Sequence, residues 1–277
     1  MREPFLHRVS SYDELWKEVD FRDFPVPERF NMGVACLDDQ DPGATALTIV
    51  AKDESSASYT FGDVRDRADR LANGLAGLGI GPGDVVAVVN PASLETAVGY
   101  MAIFRMGAVV LPLSSLFGPD ALSFRLRNGE AKTVITSAAN RPKVREALAG
   151  VDASIVVIGP TAEEDEHSFE ELIAGASPEF TPVITGAEDP CLLIYTSGTT
   201  GDPKGALHAH RFVFGHITAF ETVYDFFPQP GDVLWSPADW AWIAGIMDIL
   251  IPAWWYGLPV VVDLDTVFNA DRAVWLM

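Results

Sequence analysis

At 277 residues the chain is long enough for one large domain or two ordinary ones, each with its own core. Hydrophobic residues make up 48% and charged residues 21%, with 23 Gly and 19 Pro, which excludes a disordered, collagenous or disulfide-dense protein. With 19 basic against 39 acidic side chains the formal charge is −20, which repels nucleic acid and anionic membrane surfaces, so a polyanionic ligand has to be held locally.

The two cysteines, Cys36 and Cys191, lie far apart with no metal-ligand spacing, which fits a reducing cytoplasm and offers neither a disulfide framework nor a zinc site. The opening MREPFLHRVSSYDELWKEVD has no apolar stretch of signal-peptide length, and no export is expected. The most apolar window, 243–262, is as long as a membrane span but contains Asp248, Pro252, Gly257 and Pro259. It reads as a buried helix followed by a strand.

Thr60 with Asp63 forms a capping-box start, and Val64, Ala68, Leu71, Leu75 and Leu78 follow at helical spacing until the breaker run GLGIGPGD. Val85 to Val89 reads as a strand buried on both faces that stops at Asn90-Pro91. Leu94, Val98, Met101 and Ala102 mark a helix ending at Gly107; a strand follows over 108–113, a helix over 120–128 and a strand over 132–136. A weaker helix over 142–148 and a strand over 155–158 extend the alternation, which favours a parallel sheet with helices on both faces and ligands beyond the carboxyl ends of the strands.

The acidic stretch EEDEHSFEE, 163–171, with Pro178 and Pro182 after it, reads as a solvated connection, which sets a boundary near Gly186. The expected organisation is an α/β fold of two subdomains with largely parallel sheets: an extension over 1–58, a first subdomain over 59–186, and a second over 187–277. In the second, 192–196 reads as a strand, 211–226 as a helix, and 232–235 and 259–262 as strands. The chain ends within a helix-like DRAVWLM, so this second unit is expected to be incomplete, and its unpaired edges to favour association.

Chemistry concentrates in YTSGTTGDPKG, 195–205, which places four hydroxyl side chains, three glycines and a lysine directly after a buried strand. Glycines let the backbone approach a polyphosphate and present free N–H groups, hydroxyls add neutral donors, and Lys204 supplies a mobile positive charge. A Walker loop needs Gly at position 203 and Ser or Thr at 205, where this chain has Pro203 and Gly205, so ordinary P-loop phosphoryl transfer is disfavoured.

This segment resembles the phosphate-loop signature of the adenylate-forming (ANL) superfamily of acyl-CoA synthetases, peptide-synthetase adenylation domains and luciferases. The following ALHAHR, and upstream YTFGDVRDRADRLANGLAGLGIGPGDVVAVV and MAIFRMGAVVLPL, are similar to that family in order and spacing. FPQPGDVLWSPADWAWIAG resembles the acetyl- and medium-chain acyl-CoA synthetase branch. The resemblance implies an AMP-forming acid:CoA ligase, with ATP, Mg2+ and coenzyme A as its reactants and small-molecule metabolism in the cytoplasm as its setting. Thr196, Ser197, Gly198, Thr199, Thr200, Gly201 and Lys204 are then expected to hold the ATP phosphates, Lys204 acting on the transition state.

In that branch the tryptophan of an Ala-Asp-x-Gly-Trp pattern helps shape the acyl pocket. The matching positions are Ala238, Asp239 and Trp242, with Ile243 and Ala244 as pocket neighbours that would favour short or medium acyl chains; Ala241 departs from the pattern. Asp239 either faces the nucleotide or caps the next helix. Trp235, Trp240, Trp254 and Trp255 are expected in the core. His208 and His210 carry no assigned catalysis; by family position His210 lies near the β- or γ-phosphate, with loop packing as the alternative. The magnesium ligand, ribose-binding aspartate, hinge and C-terminal lid domain of the family have no counterpart here, so a fragment inactive alone is expected. Two other readings stay open: an adenylating enzyme with another acceptor, such as a carrier-protein thiol, and a noncatalytic nucleotide-binding module.

Overall fold

The computed structural model describes residues 2–6, 9, 11–18, 20, 25–196, 201–265 and 267–277. Strands β1 (Thr45–Val50), β2 (Ser56–Thr60), β3 (Val85–Val89), β4 (Val109–Pro112), β5 (Ala131–Ser137), β6 (Ser154–Ile158), β7 (Glu166–Ser168), β8 (Pro190–Thr196), β9 (Lys204–Ala209) and β10 (Val260–Asp263) form two sheets. The helices are α1 (Tyr12–Glu18), α2 (Met32–Leu37), α3 (Phe61–Gly77), α4 (Leu94–Arg105), α5 (Pro119–Asn128), α6 (Arg141–Ala147), α7 (Phe169–Gly175), α8 (Phe212–Val223), α9 (Ile243–Gly245), α10 (Ile251–Trp255) and α11 (Ala270–Leu276), with a π turn, Ile246–Leu250, joining α9 to α10.

The larger sheet has seven strands in the order β7-β6-β5-β3-β4-β8-β9, parallel except for β9, which runs antiparallel to β8. Alternation along β3 shows why its run is wholly apolar: Val86 and Val88 enter one core, Ala87 and Val89 the other. The capping box at α3 is present, with Asp63 N–H donating to Thr60 Oγ1 at 3.1 Å and Thr60 N–H to the Asp63 carboxylate at 2.9 Å. Asn90 ends β3 by turning its side-chain amide onto Pro91 O, Ser93 Oγ and Thr96 Oγ1. The smaller sheet has the order β10-β1-β2, with β10 parallel and β2 antiparallel to β1.

Three expectations are corrected. The boundary at Gly186 does not separate sheets: Val110 on β4 pairs with Leu192 on β8, so strands on both sides of it share one sheet, and β1, within the expected extension over 1–58, pairs with β10. Pairing across such separations has no local sequence signature. The acidic stretch is not a solvated link, because it contains β7 and the start of α7, and Glu166 is buried, accepting from Ala162 N–H and Arg145. Residues 232–235 form no strand; Leu234 alone bridges to Val260. By contrast, 243–262 is a buried helical stretch followed by a strand, and among the described residues no helix is long and apolar enough to cross a membrane.

Buried polar contacts lock the helical layer. Arg105, 2% exposed at the end of α4, donates from Nη1 to Asp38 at 2.7 Å and from Nε to Asp69 at 2.8 Å. Burial nevertheless raises the Asp69 carboxyl, outweighing the pull of Arg105. On α8, buried Glu221 accepts from Phe5 N–H, Leu6 N–H and Tyr256 Oη, fastening the N-terminal segment to the core.

Candidate active site

Because β8 is parallel to β3 and β4, its end lies at the same carboxyl edge as Asn90-Pro91 and the loop after β4, the edge where ligands of such sheets bind. Thr196 closes β8 and faces Lys204 in register as β9 opens; both are exposed. Gly201, with φ +100°, takes a backbone conformation that other residues rarely adopt, and nothing lies within 4 Å of where a Cβ would be. Thr196 and Lys204 thus meet at the root of one hairpin with Gly201 three residues before Lys204, while Ser197, Gly198, Thr199 and Thr200 lie outside the described residues.

Beside this edge is a cavity of about 300 Å3, walled by Pro91 and Ala92 after β3, Leu116 after β4, the loop Trp235–Trp240, and Val261–Asp263, Asp265 and Val267–Asn269. Asp239 borders it. One carboxylate oxygen accepts from Ser114 Oγ at 2.9 Å and the other from Ala241 N–H at 3.1 Å. Asp239 therefore ties this loop to the end of β4 and does not cap α9, whose N-cap is Trp242 with no side-chain bond. Buried Tyr100 donates to Trp240 O at 3.0 Å, and burial with the Asp239 charge pushes its phenol well above the usual range, keeping it a donor.

Trp242 is 44% exposed and meets Phe117 edge-on at 5.9 Å, while the Arg125 guanidinium lies over the Phe117 ring at 4.3 Å. Ile243 and Ala244 are half-buried beside it. These three do not wall the enclosed cavity; Ala238 and Asp239 do. Trp240, Trp254 and Trp255 are core residues, and Trp235 is half-buried on the cavity.

The sequence reading missed Gly245. A Cβ there would stand 2.6 Å from Asp239 O and 2.7 Å from Trp240 Cα, so it is the residue that lets the helical stretch pack on the Asp239–Trp240 backbone. The signal was available as a glycine three residues past Trp242, but its partner is set by the turn geometry.

Among the described residues no three His, Cys, Asp or Glu side chains stand together as a metal site. Cys36 and Cys191 are free and buried, and burial pushes the Cys36 thiol up to about 12. His208 stacks on Phe212 at 4.3 Å. His210 is fully buried, accepts from Met32 N–H through Nδ1 at 3.1 Å and packs on Phe104, which is the loop-packing alternative. Burial lowers its pKa from 6.5 to about 4, with Asp189 opposing weakly. The unfolded chain takes up this proton near 6.5 and the folded one only near 4, so stability is full above 6.5 and falls toward 4, by about 3 kcal/mol from this group. Urea unfolding of wild type and His210→Gln across this range checks it: the variant should lose that part of the slope.

The β8–β9 hairpin, with an exposed lysine where β9 opens, stands at the carboxyl edge of a largely parallel sheet with a cavity alongside, an arrangement of the α/β class whose ligands sit at that edge. The family model of AMP-binding enzymes matches residues 37–276, and the chain belongs to that family. It is 34% identical over 246 residues to an acetyl-coenzyme A synthetase of Marinobacter nauticus, covering 79% of this chain and 37% of that one. Among solved structures, a Brucella canis acyl-CoA synthetase superposes with TM-score 0.85 at 28% identity, over 97% of this chain and 50% of that one. ATP-bound MatB from Rhodopseudomonas palustris does so with TM-score 0.75 at 28% identity, over 89% and 47%. The chain thus spans half or less of the length of these relatives.

Proposed function

We propose that the chain is the nucleotide- and acid-binding part of an ATP-dependent acid:CoA ligase working in the cytoplasm. The observation that carries this reading is the hairpin rooted at Thr196 and Lys204, on the edge where a parallel sheet receives its ligands. A carboxylate is a poor electrophile, so activation comes first: its oxygen attacks the α-phosphorus of ATP, pyrophosphate leaves, and the acyl-adenylate forms. The thiol of coenzyme A then displaces AMP to give the thioester. Both reactants of the first step are anions, so the protein's part is positioning and charge neutralisation.

In this reading Thr196, Ser197, Gly198, Thr199, Thr200 and Gly201 hold the phosphates through amides and hydroxyls, and Lys204 adds its charge where the pyrophosphate departs. Mg2+ bound to the nucleotide's phosphates would add to the charge neutralisation that Lys204 supplies. The loop 235–242 serves two ligands: Trp242, with Ile243 and Ala244, takes a short- or medium-chain acid, while the apolar cavity beside Asp239 takes part of the thiol substrate. Two free buried cysteines support the cytoplasmic setting.

Acid-dependent ATP–pyrophosphate exchange, measured on this chain and on one carried to its relatives' length, tests the reading. In the longer form, exchange that rises with added short or medium acids, followed by CoA-dependent AMP release, is expected. Nucleotide binding without exchange in either form would leave a binding module and contradict it.

A further inference from the structure

Beyond the strip formed by Trp242, Ile243 and Ala244, the same helical stretch carries a charged group that packing does not call for. The π turn buries Ile246, Met247, Ile249 and Leu250, and only Asp248 keeps solvent contact. It stands about one helical turn past Ala244. Across from it on α8, His216 Nε2 lies 2.6 Å from Asp248 Oδ1, and the side chains are 24% and 38% exposed. The His216 ring packs on Phe212 at 5.7 Å, which holds its plane.

A carboxylate and an imidazole among apolar side chains cost desolvation that an aliphatic pair would avoid. A π turn is uncommon and is frequent at functional sites. The pair uses one polar atom of each residue, and His216 Nδ1 and Asp248 Oδ2 have no protein partner among the described residues.

Resting on the ligase reading above, we propose that His216 and Asp248 are specificity-determining residues at the far end of the acyl strip, and that the acid they select carries a hydroxyl group there. The hydroxyl donates to Asp248 Oδ2, and His216 fixes that carboxylate through Oδ1. A plain alkyl end would desolvate the carboxylate and return no bond, so it is discriminated against more strongly than its size alone would allow.

The test titrates the chain, in the presence of MgATP, with straight-chain acids from butanoate to octanoate and with the same acids bearing a terminal hydroxyl. Binding is read by calorimetry and by the His216 imidazole proton signal, assigned through its loss in His216→Phe. At one chain length the hydroxy acid should bind about tenfold more tightly and move the His216 signal. Asp248→Asn should shrink that preference by weakening the hydroxy acid and strengthening the plain acid, and His216→Phe should shrink it by weakening the hydroxy acid, with the melting temperature close to wild type. Equal affinity for both series at every length, with an unmoved His216 signal, overturns this inference alone. Failure of both series to bind overturns the ligase reading and this inference with it.

Discussion

Lys204→Ala is expected to lower acid-dependent pyrophosphate exchange by about 100- to 1000-fold, the range lost when one preorganised charge or donor is removed from a site of developing negative charge. Lys204 is exposed at the start of β9 and is held in register only through backbone pairing with Thr196. Its side chain therefore adds little to the fold, and the melting temperature should stay within a degree or two of wild type. Lys204→Gln, which keeps length and removes charge, should behave like the alanine variant; Lys204→Arg should recover part of the rate, because charge is retained with altered geometry. Exchange rates set beside thermal melts decide the matter. A variant that melts early but exchanges normally would remove Lys204 from the chemistry.

The second large effect is structural and lies at Gly245. Alanine there would place a methyl group 2.6 Å from Asp239 O and 2.7 Å from Trp240 Cα, both backbone atoms that no side-chain rotation can clear. Either α9 or the Asp239 loop has to move, at a cost of about 3 kcal/mol or more, which lowers the melting temperature by roughly 10 °C. The displaced loop would also pull Asp239 from Ser114 and reshape the cavity wall. Gly245→Ala should therefore lose stability and ligand affinity together, whereas Lys204→Ala loses activity and phosphate affinity while its melting temperature holds. Thermal melting with nucleotide titration separates the two patterns.

What could be read in the sequence was what is local. The capping box at Thr60, the apolar run of β3, the stop at Asn90-Pro91 and the strand that closes at Thr196 each depend on neighbours a few residues away, and each stands where the pattern puts it. What was illegible depends on distant partners. β8 shares no local signature with β4, yet pairing there places strands on both sides of Gly186 in one sheet. Acidic 163–171 reads as solvated because charge usually faces water, whereas Glu166 is buried against Arg145 and amide donors. Gly245 and the His216–Asp248 pair were missed for the same reason: their meaning lies in contacts across the turn or between helices. His210 was read either as a neighbour of the phosphates or as loop packing, and its contacts with Met32 and Phe104, distant in sequence, left no local trace.

The central claim is that the hairpin from Thr196 to Lys204 grips a nucleotide's phosphates through its amides. The most direct measurement follows the backbone amide signals of residues 196–204 by NMR while MgATP, and separately pyrophosphate, is added. Both ligands should shift these signals together at one saturating concentration, and Lys204→Ala should weaken both titrations. Nucleotide binding that leaves these amides unmoved and shifts signals elsewhere in the chain would contradict it.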